Sequence, residues 1–559
     1  MGTITHKDAD DMSVPEKVQK SEWKATTTHL DSQGNTLELA RSATITVAAN
    51  DSASKSKAGA DYLCDNVDDN VQIQAAMDAL PAAGGSIYLA EGNYTLAAKL
   101  TPPSSCYLYG TRQAVINGAS DANPFEINGK SNVTLRGFTI DGDYGDGVIL
   151  LGTLSDITLQ DLEIADVGQS GVEIYPVDTI MKRIKLKDLY IHDTGHSGIY
   201  GASSTGQTSS QVIDLLIDGC HCDTNGSSTG EWHGGIVIER WGTTENSIKI
   251  ANSYIEDGYE SGVHIETVDG MVQIDNVISK GNGARKASPT YATGFKVTKS
   301  NVMLSNCFAI GNTRNGFGLT PSATYTYVVI ADSCVSYNNG WYGFSFTLTD
   351  NDGTYKTLTL SNSNAYGNTL SGLALRASAS LDEIPYLIAI HNNTIAGNLV
   401  GQTSGAELVL VSNGGSPYSY ARNVSIRGNK IFPSNALVSA ITISGTSPVI
   451  EGNEIGTDGA ATIVPGGGST GTIIRNNTGY ITENSGTATV ASGDTTVVVS
   501  HGLSVAPDRV TLTATLWSNA AKAWVTTKTA TQFTINVDAD PGASTATFDW
   551  RAVKGEAYA

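Results

Sequence analysis

Long apolar runs are missing from this 559-residue chain, so no segment reads as a membrane-spanning helix and no membrane partner is expected. The opening MGTITHKDADDMSVPEKVQKSEW lacks the apolar stretch of a secretion signal peptide. A protein with an extracellular or virion-associated location, the one expected here, would therefore need another route, such as release inside a virus particle, or has lost its signal. Basic residues are few: 34 Lys and Arg against 55 Asp and Glu leave a net charge of −21, which repels phosphate and excludes nucleic acid as a partner. A polyanionic sugar is repelled by the same field unless a local basic group or a metal holds it. Six cysteines show no disulfide spacing; Cys220, Cys307 and Cys334 occupy one place in repeated phrases and read as small apolar residues stacked inside. Alternation points Cys220 and Cys222 inward and His221 outward, which opposes a metal fragment at that run.

What the chain has in excess is glycine, 60 residues of it, arranged in a recurring phrase. A short strand, an Asn/Asp/Gly turn and a Gly followed by alternating apolar residues appear in LQDLEIADVGQSGVEIY (159–175), LKDLYIHDTGHSGIYG (186–201) and IANSYIEDGYESGVHIE (250–266). They return in LSNCFAIGNTRNGFGLT (304–320), ADSCVSYNNGWYGFSFT (331–347) and LSNSNAYGNTLSGLALR (360–376). The glycines that open the second strand, 171, 198, 235, 262, 294, 316, 343 and 372, are 22 to 37 residues apart. Such a period, with period-2 strands and no helical pattern, indicates a β-solenoid.

Residues 1–55 are polar and read as an N-terminal arm or docking segment; 56–482 read as the solenoid. DNVDDNVQIQAAMDAL (65–80) places Val71, Ile73, Ala76, Met77 and Leu80 on one helical face, behind an Asp start signal, as a cap for the open end. Residues 483–559 change to alternating strands with hairpin turns and read as a β-sandwich, with trimerisation and glycan binding both open as its role. Asn252, Asn276, Asn306, Asn393, Asn429 and Asn453 precede apolar strand pairs, as stacked ladder residues or simple turn formers.

The run ADYLCDNVDDNVQIQAAMDALPAAGGSIYLAEGNYTL and the later Asn-containing coils resemble the pectate-lyase-like superfamily, in its branch of phage tailspikes and carbohydrate-active proteins. The resemblance covers about residues 56–480 and implies an all-β, right-handed parallel β-helix acting on or binding polysaccharide. It does not carry an activity, because the superfamily holds lyases, hydrolases, epimerases and binding proteins. An Asp-Pro-His run of the alginate epimerase kind is missing, which weighs against that subclass.

Equivalent residues of successive coils stack about 4.8 Å apart. Aligning GVEIY, GIYGA, GIVIE, GVHIE, GFKVT, GFGLT, GFSFT and GLALR gives a first outward column: Glu173, Tyr200, Val237, His264, Lys296, Gly318, Ser345, Ala374. The second is Tyr175, Ala202, Glu239, Glu266, Thr298, Thr320, Thr347, Arg376. Ionisable groups crowd the coils from 171 to 298, and insertions at 201–211, 224–233 and 283–292 interrupt the same coils as groove walls. The expected catalytic residues are Lys296 or His264 as base, Tyr200 as acid, and Glu239 and Glu266 as substrate or Ca²⁺ ligands, in β-elimination on a uronate-containing glycan. No organic cofactor is expected. Expected substrate-binding residues are Glu173, Tyr175, His196, Trp232, His233, Arg240, Trp241 and Arg314, with Trp232 and Trp241 either stacking on sugar or closing loops. A glycoside hydrolase using Glu239 with Glu266, or with Glu173 two coils away, is the second reading, and a non-catalytic adhesin the third. Asp166, Asp193, Asp223 and Asp257 recur at one turn and read as turn formers. Asp141, Asp143 and Asp146 in DGDYGDG read as a turn, with Ca²⁺ binding as the other reading.

Overall fold

The structure is a computed structural model that describes residues 43–554 apart from 119–122, 143–144, 204–209, 227–232, 287–291, 321–326, 349–355, 378–385, 403, 413–423, 435–437, 444–447, 457–459, 466–470 and 518. Each coil lays down three short strands in order. One coil runs Leu154–Gln160, Glu163–Ala165 and Val172–Tyr175; the next runs Ile180–Lys187, Tyr190–His192 and Ile199–Ala202. Each strand pairs in parallel with its equivalent one coil away, for example Ile157 with Ile184, Ile164 with Ile191 and Val172 with Ile199. Three faces result, called first, second and third in chain order. Their inward residues form one continuous core from Ile45 to Tyr480. No helix among the described residues is long and apolar enough to cross a membrane.

The corners explain the composition. Between the first and second strands a single residue turns left-handed: Asp161, Asp188, Gly219, Asn252, Asn276, Asn306, Ser333, Asn362 and Asn392 all have φ between 49° and 68°. Asn, Asp and Gly tolerate this region best. Asp166, Asp193 and Asp257 do the same at the second corner, with φ of 51°, 54° and 49°. Asp223 does not share that place. It lies in the strand His221–Asp223, and Thr224 takes the left-handed position, φ 54°.

The six asparagines grouped in the sequence separate into two sets. Asn252, Asn276 and Asn306 are the left-handed corner residues just described. Asn393, Asn429 and Asn453 come one position later and are buried. There each Nδ2 donates to the next Oδ1 at 2.9 Å, ending on Asn477. A second buried ladder at the other corner was not anticipated: Asn282, Asn312, Asn339, Asn368 and Asn398, with Nδ2 to Oδ1 distances of 2.8, 2.9, 3.0 and 2.7 Å. Glu407 terminates it, accepting from Asn398 Nδ2 at 2.8 Å. Cys220, Cys307 and Cys334 fill the position of the first ladder in earlier coils, buried and unpaired as thiols. Phe295, Phe317 and Phe344 stack in line inside, centroids 4.9 and 4.6 Å apart.

At the N-terminal side the helix Asp69–Asp78 buries Ile73, Ala76 and Met77 over the first coils. Val71, expected on that face, is exposed. The buried polar anchor is Asp69, whose carboxylate accepts from the backbone N–H groups of Asp65, Asn66 and Thr95. The strand Ala43–Ala48 falls inside the segment expected as an arm, residues 1–55. It pairs in parallel with Tyr62–Leu63, because alternating Ile45 and Val47 enter the common core. Residues 1–42 of that arm lie outside the described residues. From Glu483 the pairing becomes antiparallel, in two three-stranded sheets around a separate core that includes Phe533, Phe548 and Trp550.

Asn339→Ala should destabilise the solenoid by about 3 kcal/mol, because buried N–H donors of Asn312 lose their acceptor. Urea denaturation checks this, with exposed Lys249→Ala expected within about 0.5 kcal/mol of the parent.

Candidate functional site

The third face carries the titratable column. Its register runs Glu173, Tyr200, Val237, His264, Lys296, Gly318, Ser345, Ala374 in successive coils. Ala202, Glu239, Glu266 and Thr298 form the second column. Tyr175 closes the strand Val172–Tyr175, one place beyond Ile174, which pairs with Gly201.

The side chains interlock. Tyr200 Oη donates to Glu239 Oε1 at 2.7 Å, and Arg240 pairs with the same carboxylate. His264 Nε2 lies 3.1 Å from Glu266 Oε2, and Lys296 Nζ lies 3.9 Å from that oxygen. His196 meets the Tyr200 ring edge-on at 4.7 Å and the His233 ring at 4.1 Å, while Ser170 Oγ lies 3.3 Å from His196 Nδ1. At the upstream end Glu173 hydrogen-bonds Asp146, whose Oδ1 accepts from the Ser170 N–H at 2.9 Å.

Burial sorts these groups by task. The side chains of His264 and Glu239 are 2% and 4% exposed, those of Lys296 and Glu266 13% and 21%. Burial pushes the His264 imidazole down, and Lys296 adds to this against the opposing pull of Glu266. Burial raises the Glu266 carboxyl, but the His264 bond and the Lys296 and Lys299 charges outweigh it and hold the group below its ordinary value. A neutral imidazole donating Nε2–H to an ionised carboxylate satisfies both directions. His264, expected as a base, is thus covered and oriented toward Glu266. Burial, then Glu239, raises the Tyr200 phenol strongly. Burial and His233 lower His196 to about 4. Burial first, then the Asp146 charge, raises Glu173 to about 8, and burial raises Asp146 as well.

Two expectations fail on geometry. Trp241 is fully buried and offers no sugar platform. Arg240 between Glu239 and Trp241 is left-handed, φ 63°, which breaks the alternation: Arg240 turns out and Trp241 turns in, against Gly201. Glu239 and Glu266 also do not fit a Ca²⁺ ion, which takes six to eight oxygens. Their carboxylates face Tyr200 and Arg240 on one side, His264 and Lys296 on the other. Among the described residues, the one set of three His, Cys, Asp or Glu side chains with ligand atoms within 4.8 Å of one another is His221, Asp223 and Glu256 on the second face, where Lys280 lies 3.0 Å from Glu256.

Trp232 lies outside the described residues, as do Glu231, Tyr291 and Asp143. The Arg314 guanidinium lies 3.6 Å from the centroid of the Trp341 ring. The sequence reading missed Asp146 as the partner of Glu173, Trp341 as an exposed ring, and the buried pair of Lys286 with Glu260. A usable signal was present in the residue two places before each strand-opening glycine (Gln169, His196, His233, Glu260, Ala292, Arg314, Trp341, Leu370). Backbone bonds stack these residues along one rim, as from Trp341 N–H to Arg314 O at 2.9 Å.

Gly201→Ala is expected to loosen the site from below, because its Cβ would stand 2.7 Å from Trp241 Cζ2. A loss of about 1–3 kcal/mol, read by thermal denaturation and by a shift in tryptophan emission, is the outcome that checks this packing.

Comparison with known proteins bears on the fold. The model of the right handed beta helix region matches residues 123–298. Among curated proteins none matches this chain. Solved structures similar to it include the tailspike protein gp49 from Pseudomonas phage LKA1, at 10% identity over 86% of this chain and 92% of that one, TM-score 0.41. Pectate lyase Pel9A is 15% identical over 59% and 80% of the two chains, TM-score 0.37. PfbA, a surface adhesin of Streptococcus pneumoniae, is 12% identical over 63% and 91%, TM-score 0.37. The coil-to-coil register of three parallel faces, together with the matched model, makes this protein a right-handed parallel β-helix followed by an antiparallel β-sandwich.

Proposed function

We propose that the third face cleaves a glycan by acid–base chemistry, with hydrolysis as the reaction. The observation that carries this is the Glu173–Asp146 pair. A carboxyl raised to about 8 by burial and by a neighbouring acid stays protonated at neutral pH and is ready to give its proton to a leaving glycosidic oxygen. Two coils along and two residues further on its strand, about 12 Å between backbones by strand geometry, Glu239 is the matching carboxylate, too far for a retaining pair and assigned as the base of an inverting one. Tyr200 and Arg240 orient it, and it takes the proton of the attacking water. His264 acts as a positioning residue that aims Glu266 along the same wall.

Elimination is the second reading. It is supported by Lys296 and Tyr200 standing on one column as base and acid, with Arg240 beside them as a cation for a uronate carboxylate. A panel of neutral and uronate-containing glycans separates the readings. Reducing ends alone mean hydrolysis, reducing ends with unsaturated-product absorbance mean elimination, and retention without products means an adhesin.

Glu173→Gln should lower kcat by about 10²–10⁴-fold with an unchanged melting curve. The sign of the pH effect follows from the raised carboxyl: activity holds below about 8 and falls above it as Glu173 ionises. A rate that keeps rising well past that pH would remove Glu173 as the acid.

A further inference from the structure

The first face opens a groove of about 390 Å³ on the coils whose third strands carry Tyr200, Glu239, His264 and Lys296. Its cause is local. In three successive coils one residue of the first-face strand turns left-handed and drops out of the pairing: Asp156, Arg183 and Asp214, with φ of 58°, 54° and 59°. The strand of the following coil, Ser247–Ala251, has no such residue, and its Ile248 pairs with Leu215. The groove lies where the bulged strands meet the plain ones, and its apolar lining includes Leu216 and Met271.

The outward column across it reads Lys185, Leu216, Lys249 and Gln273 in successive coils. Leu216 is half-buried, and the two lysines that flank it are exposed. They stand two coil steps apart, about 10 Å between backbones. Among the described residues neither ammonium makes a hydrogen bond or an ion pair; each acts only at longer range, Lys185 on Asp156 and Lys249 on Asp275. The other charges of the lining are already matched. Arg183 holds Asp156 through two bonds of 2.6 and 2.7 Å, and Asp214 accepts from the Ser247 hydroxyl at 3.2 Å. Four of the chain's 34 Lys and Arg fall in the strand Ile180–Lys187, so positive charge is concentrated here on a chain of net −21. Two uncommitted ammonium groups beside an apolar floor select an anion that also has an apolar surface.

We propose that this groove binds a strand of an acidic polysaccharide, with carboxylates on Lys185 and Lys249 and the C–H face of a sugar ring over Leu216 and Met271. A hollow favours a strand over a flat lipid surface, and two cations in a row favour a polymer over a single small acid. Gln273 and Ser247 add an amide and a hydroxyl for the sugar hydroxyls. The choice of a polysaccharide rests on the reading of the third face as a glycan site, because both faces belong to the same coils; the preference for an anion rests on the lysines alone. The groove supplies the local basic group that a polyanion needs in order to approach this acidic chain.

The test uses the full chain carrying Glu173→Gln, so that binding is read without turnover. The probes are oligosaccharides of polygalacturonate, alginate and hyaluronan, each beside its carboxyl-reduced form, and vesicles of phosphatidylcholine with phosphatidylglycerol. Calorimetry reads glycan binding, flotation reads the vesicles, and sedimentation reads self-association. At least one acidic probe should bind, its reduced form at least about tenfold more weakly, and binding should weaken as salt is raised. Lys185→Ala combined with Lys249→Ala should lose about tenfold or more with an unchanged melting curve, because both side chains are exposed. Arginine at both positions should retain binding, and Lys182→Ala, which removes a charge outside the groove lining, should lose less than about threefold. Binding of no acidic probe, equal affinity for the reduced forms, or unchanged affinity in the double alanine variant would overturn the proposal. Flotation or self-association that needs the two lysines, without acidic-glycan binding, would overturn it too and assign the groove to a lipid surface or a second copy. The two readings fail separately. Lysine-dependent binding by a chain that cleaves no glycan removes the third-face reading and leaves the groove, whereas cleavage without lysine-dependent binding does the reverse.

Discussion

Registry between coils is the constraint on which the rest of this molecule depends. A solenoid has no packing partner for most of its length except itself, so each coil must sit directly over the last. Two buried asparagine ladders enforce this. In each, the side-chain oxygen accepts from both the backbone N–H and the Nδ2 of its neighbour, as Asn339 Oδ1 does from Asn312. The Nδ2 spends its second hydrogen on a backbone carbonyl, as Asn339 does on Ala309. A shift of one residue would leave several buried polar groups unpaired at once, each costing about 1–3 kcal/mol. Glu407 closes the second ladder with a carboxyl that burial raises to about 7.

The same registry makes neighbours of residues remote in sequence. Tyr200 and Glu239 are 39 residues apart and share a 2.7 Å hydrogen bond because Tyr200 lies over Val237 and Ala202 over Glu239. The backbone adds one irregularity at this place. Left-handed Arg240 and Thr267, φ 63° and 53°, follow Glu239 and Glu266 and return Trp241 and Val268 to the core. The strand is thereby extended by a polar residue on the open side without losing its hydrophobic footing.

Electrostatics distinguishes this wall from the other two faces. On the first and second faces, pairs such as Arg183 with Asp156, Arg136 with Asp161 and Lys280 with Glu256 link neighbouring coils through largely solvated side chains. Pairs of that kind contribute little and are screened by salt. On the third face the partners are buried, so each charge shifts its neighbour. Glu173 is held neutral, while His264 is held neutral beside an ionised Glu266 three coils along. Carboxyls pushed in opposite directions within one wall are what the proposed acid–base reading of this face rests on.

Much of this was legible in the chain itself. The glycine period and the Asn/Asp corners follow from local backbone preference, and strict alternation put Glu173, Tyr200, His264 and Lys296 on one column because period-2 geometry depends on nothing outside the strand. What alternation cannot see is where the backbone departs from it. Trp241 was open between a sugar platform and a loop closure, because a left-handed Arg240 is decided by what Trp241 gains against Gly201. Asn252 and Asn393 read as equivalents, because a corner residue and its buried successor differ by one place and only burial separates them. Burial also decided which member of the column is held neutral and which is held charged. Residue type and spacing determined the solenoid and its outward rows. Only the tertiary structure, by withdrawing water unevenly from those rows, set the charge state of each group.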